Sequence, residues 1–132
     1  MEPALQRRVQ RYGWDKAAAY YEDTWQQQLK PAHDILFDFA AIQPGQKIID
    51  IACGTGLISF RAAAATGSEG FVLGTDISDK MVELADKTVT SNNLSNIRFE
   101  RMDAEELKIN EDEFDMAICA LGLMYAPSPV TA

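Results

Sequence analysis

Residues 48–56 read Ile48-Ile49-Asp50-Ile51-Ala52-Cys53-Gly54-Thr55-Gly56, and an alanine-rich stretch, Leu57 to Thr66, follows them. A β-branched run thus passes through two closely spaced glycines into a helical segment. Lys47 to Ile51 reads as a buried strand. Leu57 to Thr66 reads as a helix, with Gly67 placed just past its C-terminus. Gly54 and Gly56 allow a tight turn and let a ligand approach without a Cβ in the way. The helix behind them presents free N–H groups. Gly54-Thr55-Gly56 begins a dinucleotide-like pattern, but Ser59 occupies the place of the third glycine. The loop therefore leaves its ligand open.

Working outward, the alternation continues. Gly70 to Thr75 reads as a second strand. Ser78 is an N-cap candidate for a helix from Asp79 to about Ser91, with Met81, Leu84, Ala85 and Val89 facing inward. Ile97 to Arg101 reads as a third strand and Phe114 to Leu121 as a fourth. Short connections between alternating strands and helices predict an α/β fold around a mostly parallel sheet. Upstream, Trp14, Ala18, Tyr21, Trp25 and Leu29 recur at helical spacing and form one stripe. Pro31 is expected to open a second helix, whose buried face is Ile35, Leu36, Phe39 and Ala40. Pro44-Gly45 then turns the chain. The predicted organisation is an N-terminal helical cap over residues 1–44 and a ligand-binding α/β unit over 45–132.

Three acids fall at the ends of predicted strands. Asp50 lies just ahead of the glycines. A pyrophosphate gains nothing from a negative charge there, whereas a cationic sulfonium ligand carrying an α-amino group does. Hydrogen bonding to the loop backbone is the competing role for Asp50. Asp76 ends the second strand about 20 residues after the last glycine, the spacing at which an acid meets ribose hydroxyls. Capping of the following helix is its competing role. Asp103, in Met102-Asp103-Ala104-Glu105, follows the third strand and could accept from an adenine amino group. Alone it reads as a solvated turn acid. Open α/β sheets bind ligands at the C-terminal ends of their strands, where all three acids lie.

These residues resemble the class I S-adenosylmethionine-dependent methyltransferases, in particular the ubiquinone/menaquinone-biosynthesis C-methyltransferases and their small-molecule relatives (the methyltransferase type 11 group). Asp50-Ile51-Ala52-Cys53-Gly54-Thr55-Gly56 resembles the first motif of that family, with Ala52 replacing a common glycine. Thr75-Asp76-Ile77-Ser78 with Met81 resembles the second, in which the acid holds the ribose and apolar neighbours sandwich the adenine. Met102-Asp103-Ala104-Glu105 resembles the third. Phe114 to Ala120 resembles the fourth strand, whose end lies near the methionine part of the cofactor. The resemblance spans about residues 12–126. It implies a Rossmann-like three-layer sandwich with strand order 3-2-1-4, S-adenosylmethionine as cofactor, and a small-molecule methyl acceptor. It also implies that the helix bearing Tyr20, Tyr21 and Trp25 caps the pocket, although an aromatic core stripe explains those residues equally well. The cofactor-binding set it implies is Asp50, Ala52, Cys53, Gly54, Thr55, Gly56, Asp76, Ile77, Met81, Asp103, Ala104, Ala120 and Tyr21. No general base is identified.

The family sheet has seven strands and this sequence has room for four. The expectation is a C-terminally shortened domain, either a piece of a longer enzyme or a short protein that completes its sheet with another chain. The apolar fourth strand, Met116 to Leu121, is then an edge suited to a homo-oligomeric contact. Two readings compete with methyl transfer. One is a nicotinamide-dependent oxidoreductase, which leaves Asp50 and Asp103 unexplained. The other is a non-catalytic module that binds the cofactor without turnover.

The totals agree. The chain has 132 residues, enough for one core, and a formal net charge of −8 that disfavours nucleic acid as a partner. Two cysteines and one histidine are too few for a disulfide scaffold or a structural zinc site. No apolar run spans a bilayer. Met1 to Gln10 is polar and lacks a signal region, so the expected location is the cytoplasm. Cys53 is read as a small loop residue and His33 as a surface helix residue.

Overall fold

The computed structural model describes residues 1–132. Four parallel strands, β1 (Lys47–Ile51), β2 (Phe71–Asp76), β3 (Ile97–Arg101) and β4 (Met116–Ile118), form one sheet in the order β3-β2-β1-β4. Three helices accompany them: α1 (Pro3–Ala40), α2 (Leu57–Thr66) and α3 (Asp79–Ser91). A short 3₁₀ turn, Leu123–Tyr125, follows β4. This is the expected α/β class and strand order.

Successive strand residues point to opposite faces, so each strand divides its side chains between two clusters. Ile48, Val72, Phe99 and Ile118 meet Ile58, Ala62 and Ala85 from α2 and α3, with Leu36, Phe37 and Ala40 of α1 packed against them. Ile49, Leu73 and Met102 form the second cluster. Its cover is Leu107, Ile109 and Phe114 from the segment between β3 and β4, so irregular chain rather than helix closes that face. Strand β2 can carry a glycine at its centre because Phe99, its cross-strand partner, fills the space. A Cβ on Gly74 would lie 2.5 Å from the Phe99 ring.

The N-terminal region departs from expectation. One helix of 38 residues replaces the two predicted, and Pro31 sits inside it. The proline removes one helical hydrogen bond. Residues 26–28 and 30–32 are exposed, so water can reach the freed carbonyl, and strong helix formers flank the site. The continuous helix sets its own phase against α2. Leu36, Phe37 and Ala40 turn inward, while Ile35 and Phe39, expected to be buried, are 59% and 86% exposed. His33, expected at the surface, is buried instead. Burial holds its imidazole pKa below the usual value, and nearby Arg61 adds to the effect.

Strand β4 is also shorter than predicted. It pairs with β1 only from Met116 to Ile118. Beyond it the chain bends away, with Leu121 in the left-handed region at φ 61°. At the other end Asp115 closes the pair. Its N–H donates to the Lys47 carbonyl at 2.7 Å, and its carboxylate accepts from the Lys47 N–H at 2.8 Å.

Candidate cofactor site

A cavity of about 270 Å³ opens at the C-terminal ends of the strands. Nine of the thirteen residues expected at the site form its wall: Tyr21, Ala52, Gly54, Asp76, Ile77, Met81, Asp103, Ala104 and Ala120. Asp50, Cys53, Thr55 and Gly56 lie behind that wall, in and under the glycine loop.

Asp76 organises the loop. One carboxylate oxygen accepts the Gly54 N–H at 2.8 Å and the other accepts the Ser78 N–H at 2.9 Å. The helix-start role considered for it from sequence is therefore present, and the bond to Gly54 ties the glycine loop to the same carboxylate. Each oxygen keeps a further lone pair for a ligand hydroxyl. Burial is the main cause that raises its pKa, and the backbone N–H donors oppose that rise. Ser78 caps α3 as expected, its hydroxyl oxygen accepting the Met81 N–H at 3.2 Å. A Cβ on Gly54 would point at Tyr21, 3.7 Å from its ring, so the glycine leaves the cavity open at that point. Tyr21 is itself half-buried, and burial together with the Asp76 charge raises its phenol pKa.

Asp50 is fully enclosed. One oxygen accepts from the Ser59 hydroxyl at 2.5 Å, and the other has no partner. Burial pushes its pKa up to about 7. A carboxyl group with a raised folded-state pKa binds more protons folded than unfolded, so stability falls as pH rises from about 4 to about 7. Asp50→Asn is expected to remove that slope. Relative to wild type, the variant should gain up to about 4 kcal/mol by pH 8 and nothing near pH 3. Urea denaturation across that pH range measures the difference. Cys53 is buried beside it, and burial holds its thiol well above its ordinary pKa, which leaves no thiolate for chemistry.

Ala52, expected to be compatible with a position that often carries glycine, has φ 56°. Left-handed backbone costs a non-glycine residue roughly 1–2 kcal/mol, against roughly 0.5–1 kcal/mol for the greater unfolded-state freedom of glycine. Ala52→Gly is therefore expected to raise stability by about 0.5 kcal/mol, read as a higher urea midpoint at unchanged slope.

Sequence reasoning missed part of the wall. Arg7, Gln10 and Trp14 from α1, and Leu121, Gly122 and residues 124–127 after β4, also line the cavity. Trp14 packs edge-on against Tyr21 at 5.9 Å and against Tyr125 at 5.4 Å, roofing it. The helical stripe had flagged Trp14. Nothing local marked Arg7 or Tyr125, whose positions depend on where α1 crosses the sheet. Tyr20, grouped with Tyr21 in the capping helix, faces solvent.

A parallel sheet with a glycine loop after its first strand, acids after its second and third and a cavity at the C-terminal ends of its strands is the arrangement of the open α/β domains that bind ligands there. Comparison with known proteins narrows the class. A family model described as a methyltransferase domain matches residues 42–132, so the chain belongs to that family. Aklanonic acid methyltransferase DauC of Streptomyces sp. (strain C5) is 32% identical over 119 residues, covering 90% of this chain and 54% of that protein. Demethylmenaquinone methyltransferase of Geobacillus kaustophilus (strain HTA426) is 27% identical, covering 99% of this chain and 57% of its own length. The chain thus spans just over half of each. Among solved structures, a SAM-dependent methyltransferase from Aquifex aeolicus superposes with TM-score 0.69 at 17% identity, over 75% of this chain and 53% of that one. The cyclase SpnF superposes with TM-score 0.70 at 25% identity, over 81% and 39%. No helix is long and apolar enough to cross a membrane.

Proposed function

We propose that this chain holds S-adenosylmethionine at the C-terminal ends of β1–β3 and that the protein transfers its methyl group to a small-molecule acceptor. The observation that carries the reading is Asp76. It is fixed by the Gly54 and Ser78 amides while still lining the cavity. A carboxylate so placed accepts from vicinal ribose hydroxyls. Ile77 and Met81 lie beside it as apolar walls for an adenine, and Asp103 lies at the far side as the acceptor for an amino group. Asp50 acts from behind the loop, where the cationic methionine portion of the ligand would favour its charged form and draw its pKa down from about 7.

The cofactor, once bound, supplies an electrophilic methyl group on a sulfonium. The residues of this chain orient it, keep water away and present the acceptor. Trp14, Tyr21, Trp25 and Tyr125 make the remaining wall strongly aromatic. Such a wall favours a flat, ring-bearing acceptor, in keeping with the aklanonic acid and demethylmenaquinone named for two of the relatives. Residues 1–44 serve in this reading as the helical cap of the site.

Calorimetric titration with S-adenosylhomocysteine, with NADH as control, tests the reading. Saturable binding of the first and none of the second is the expected result. NADH binding alone would sink it. SpnF gives one observation in favour of a second reading, because a protein named as a cyclase shares this fold. Binding without methyl transfer to any acceptor of the aromatic class would favour that alternative.

A further inference from the structure

The first turn of α3 is tied to α1 residue by residue. Asp15 of α1 accepts from the Ser78 hydroxyl at 2.6 Å and from the Lys80 N–H at 3.1 Å. One turn earlier on α1, Arg11 pairs with Asp79. Ser78 is fully buried, and its oxygen also accepts the Met81 N–H. Its own N–H donates to Asp76, whose other oxygen takes the Gly54 N–H. An unbroken chain of hydrogen bonds therefore runs from α1 through the start of α3 to the acid at the end of β2, and on to the glycine loop. Neither Asp15 nor Ser78 lines the cavity. Burial comes first among the causes that raise the Asp76 pKa, and the charge on Asp15 adds to it, so the two carboxylates lie within each other's field.

A helix leaves its first N–H groups without partners inside the helix. Ser78 satisfies the one at Met81, and Asp15, from a different helix, satisfies the one at Lys80. A carboxylate also suits the positive end of a helix. Ser78 is thereby held on three sides, by Asp15, Met81 and Asp76. A carboxylate that receives two vicinal hydroxyls must have its oxygens aimed at both, and hydrogen bonds weaken steeply as they misalign. Such an aim is kept by the residues behind the contact. We propose that Asp15 is a positioning residue for the ribose of the cofactor: acting through Ser78, it fixes the end of β2 and so aims the Asp76 carboxylate. The inference rests on the proposed function for the identity of the ligand.

The test compares S-adenosylhomocysteine with its 2′,3′-dideoxy analogue by calorimetry on the full chain, in wild type, Asp15→Ala, Asp15→Asn and Ser78→Ala. The ratio of the two Kd values reads the grip on the hydroxyls alone, because a general loss of folding or fit weakens both ligands alike. In wild type the analogue should bind about 100-fold more weakly than the parent. Asp15→Ala and Ser78→Ala should each lower that ratio about ten-fold. Asp15→Asn keeps an oxygen that accepts from Ser78, so its ratio should stay within about three-fold of wild type. Ser78→Ala breaks the same chain without touching α1 and gives a second reading if Asp15→Ala does not fold. A ratio unchanged in either alanine variant, or lowered as far in Asp15→Asn as in Asp15→Ala, overturns the proposal. So does a wild-type ratio near one. If wild type does not bind S-adenosylhomocysteine at all, the proposed function fails, and amide hydrogen exchange in the free chain judges the positioning separately. The Gly54 and Ser78 amides, both held by Asp76, should then exchange at least five-fold faster in Asp15→Ala than in wild type or Asp15→Asn, measured relative to Ile49 and Leu73 in the strands. Equal exchange in all three overturns the inference.

Discussion

Asp76→Ala is expected to weaken S-adenosylhomocysteine binding by at least 100-fold, measured by calorimetry. Two hydroxyl bonds to a carboxylate contribute roughly 1.5–3 kcal/mol each, and tenfold in affinity is about 1.4 kcal/mol. The substitution also removes the acceptor of the Gly54 and Ser78 amides. Leaving a buried donor without a partner costs roughly 1–3 kcal/mol, so the melting temperature should fall as well. Asp76→Asn separates the two effects. Its side-chain oxygen still accepts one backbone N–H, so stability recovers in part, while affinity stays low because the charge and one acceptor are gone. An Asp76→Ala variant that binds as tightly as wild type would remove Asp76 from the cofactor site.

Gly74→Ala should be the most destabilising single methyl addition in the sheet, by about 3 kcal/mol in urea denaturation. The added Cβ lands 2.5 Å from two atoms of the Phe99 ring and 3.1 Å from the Ser59 hydroxyl. Phe99 cannot retreat freely, because it is also stacked at a tilt against Phe60 with centroids 5.3 Å apart, and its ring tip closes the space beside Gly56. Phe99→Val alone opens a cavity and also destabilises. The double variant should be more stable than the sum of the two single losses predicts, because the new methyl fills part of the vacated ring volume. Strict additivity would show that the two positions do not share that space.

Much of this architecture was legible from local patterns. The bounds of α2, α3, β1 and β3 follow from glycine punctuation, the Ser78 cap and apolar periodicity, and they agree with the structure. What escaped depends on partners distant in sequence. Pro31 reads locally as a helix start, yet the helix runs through it because its neighbours on both sides are exposed and hydrated. Ile35 and Phe39 look as apolar as Leu36 and Phe37. Which pair turns inward is decided by the phase of a helix anchored on α2, where the Arg61 guanidinium stacks 4.2 Å from the Phe37 ring centre. Of the acids, Asp76 and Asp103 line the cavity as their strand-end positions suggested. Asp50 lies deeper, level in the sheet with Gly74 rather than with Asp76, and its carboxyl group is held by Ser59 behind the loop.

The contact between Ala52 and Gly122 has a consequence for how such chains diverge. A Cβ on Gly122 would come within 2.4 Å of the Ala52 methyl, so the loops after β1 and β4 share room for a single carbon. Gly122 has an ordinary backbone conformation, φ −96°, so what opposes a side chain there is the Ala52 methyl first and the Cys119 sulfur, 3.3 Å from the same Cβ position, second. The two positions should therefore evolve as a pair. Where a relative carries glycine at the first, the second can take a small side chain, provided the residue at position 119 gives way slightly. Where the first is alanine, the second is held to glycine, and substitutions should cross between these arrangements only in that order.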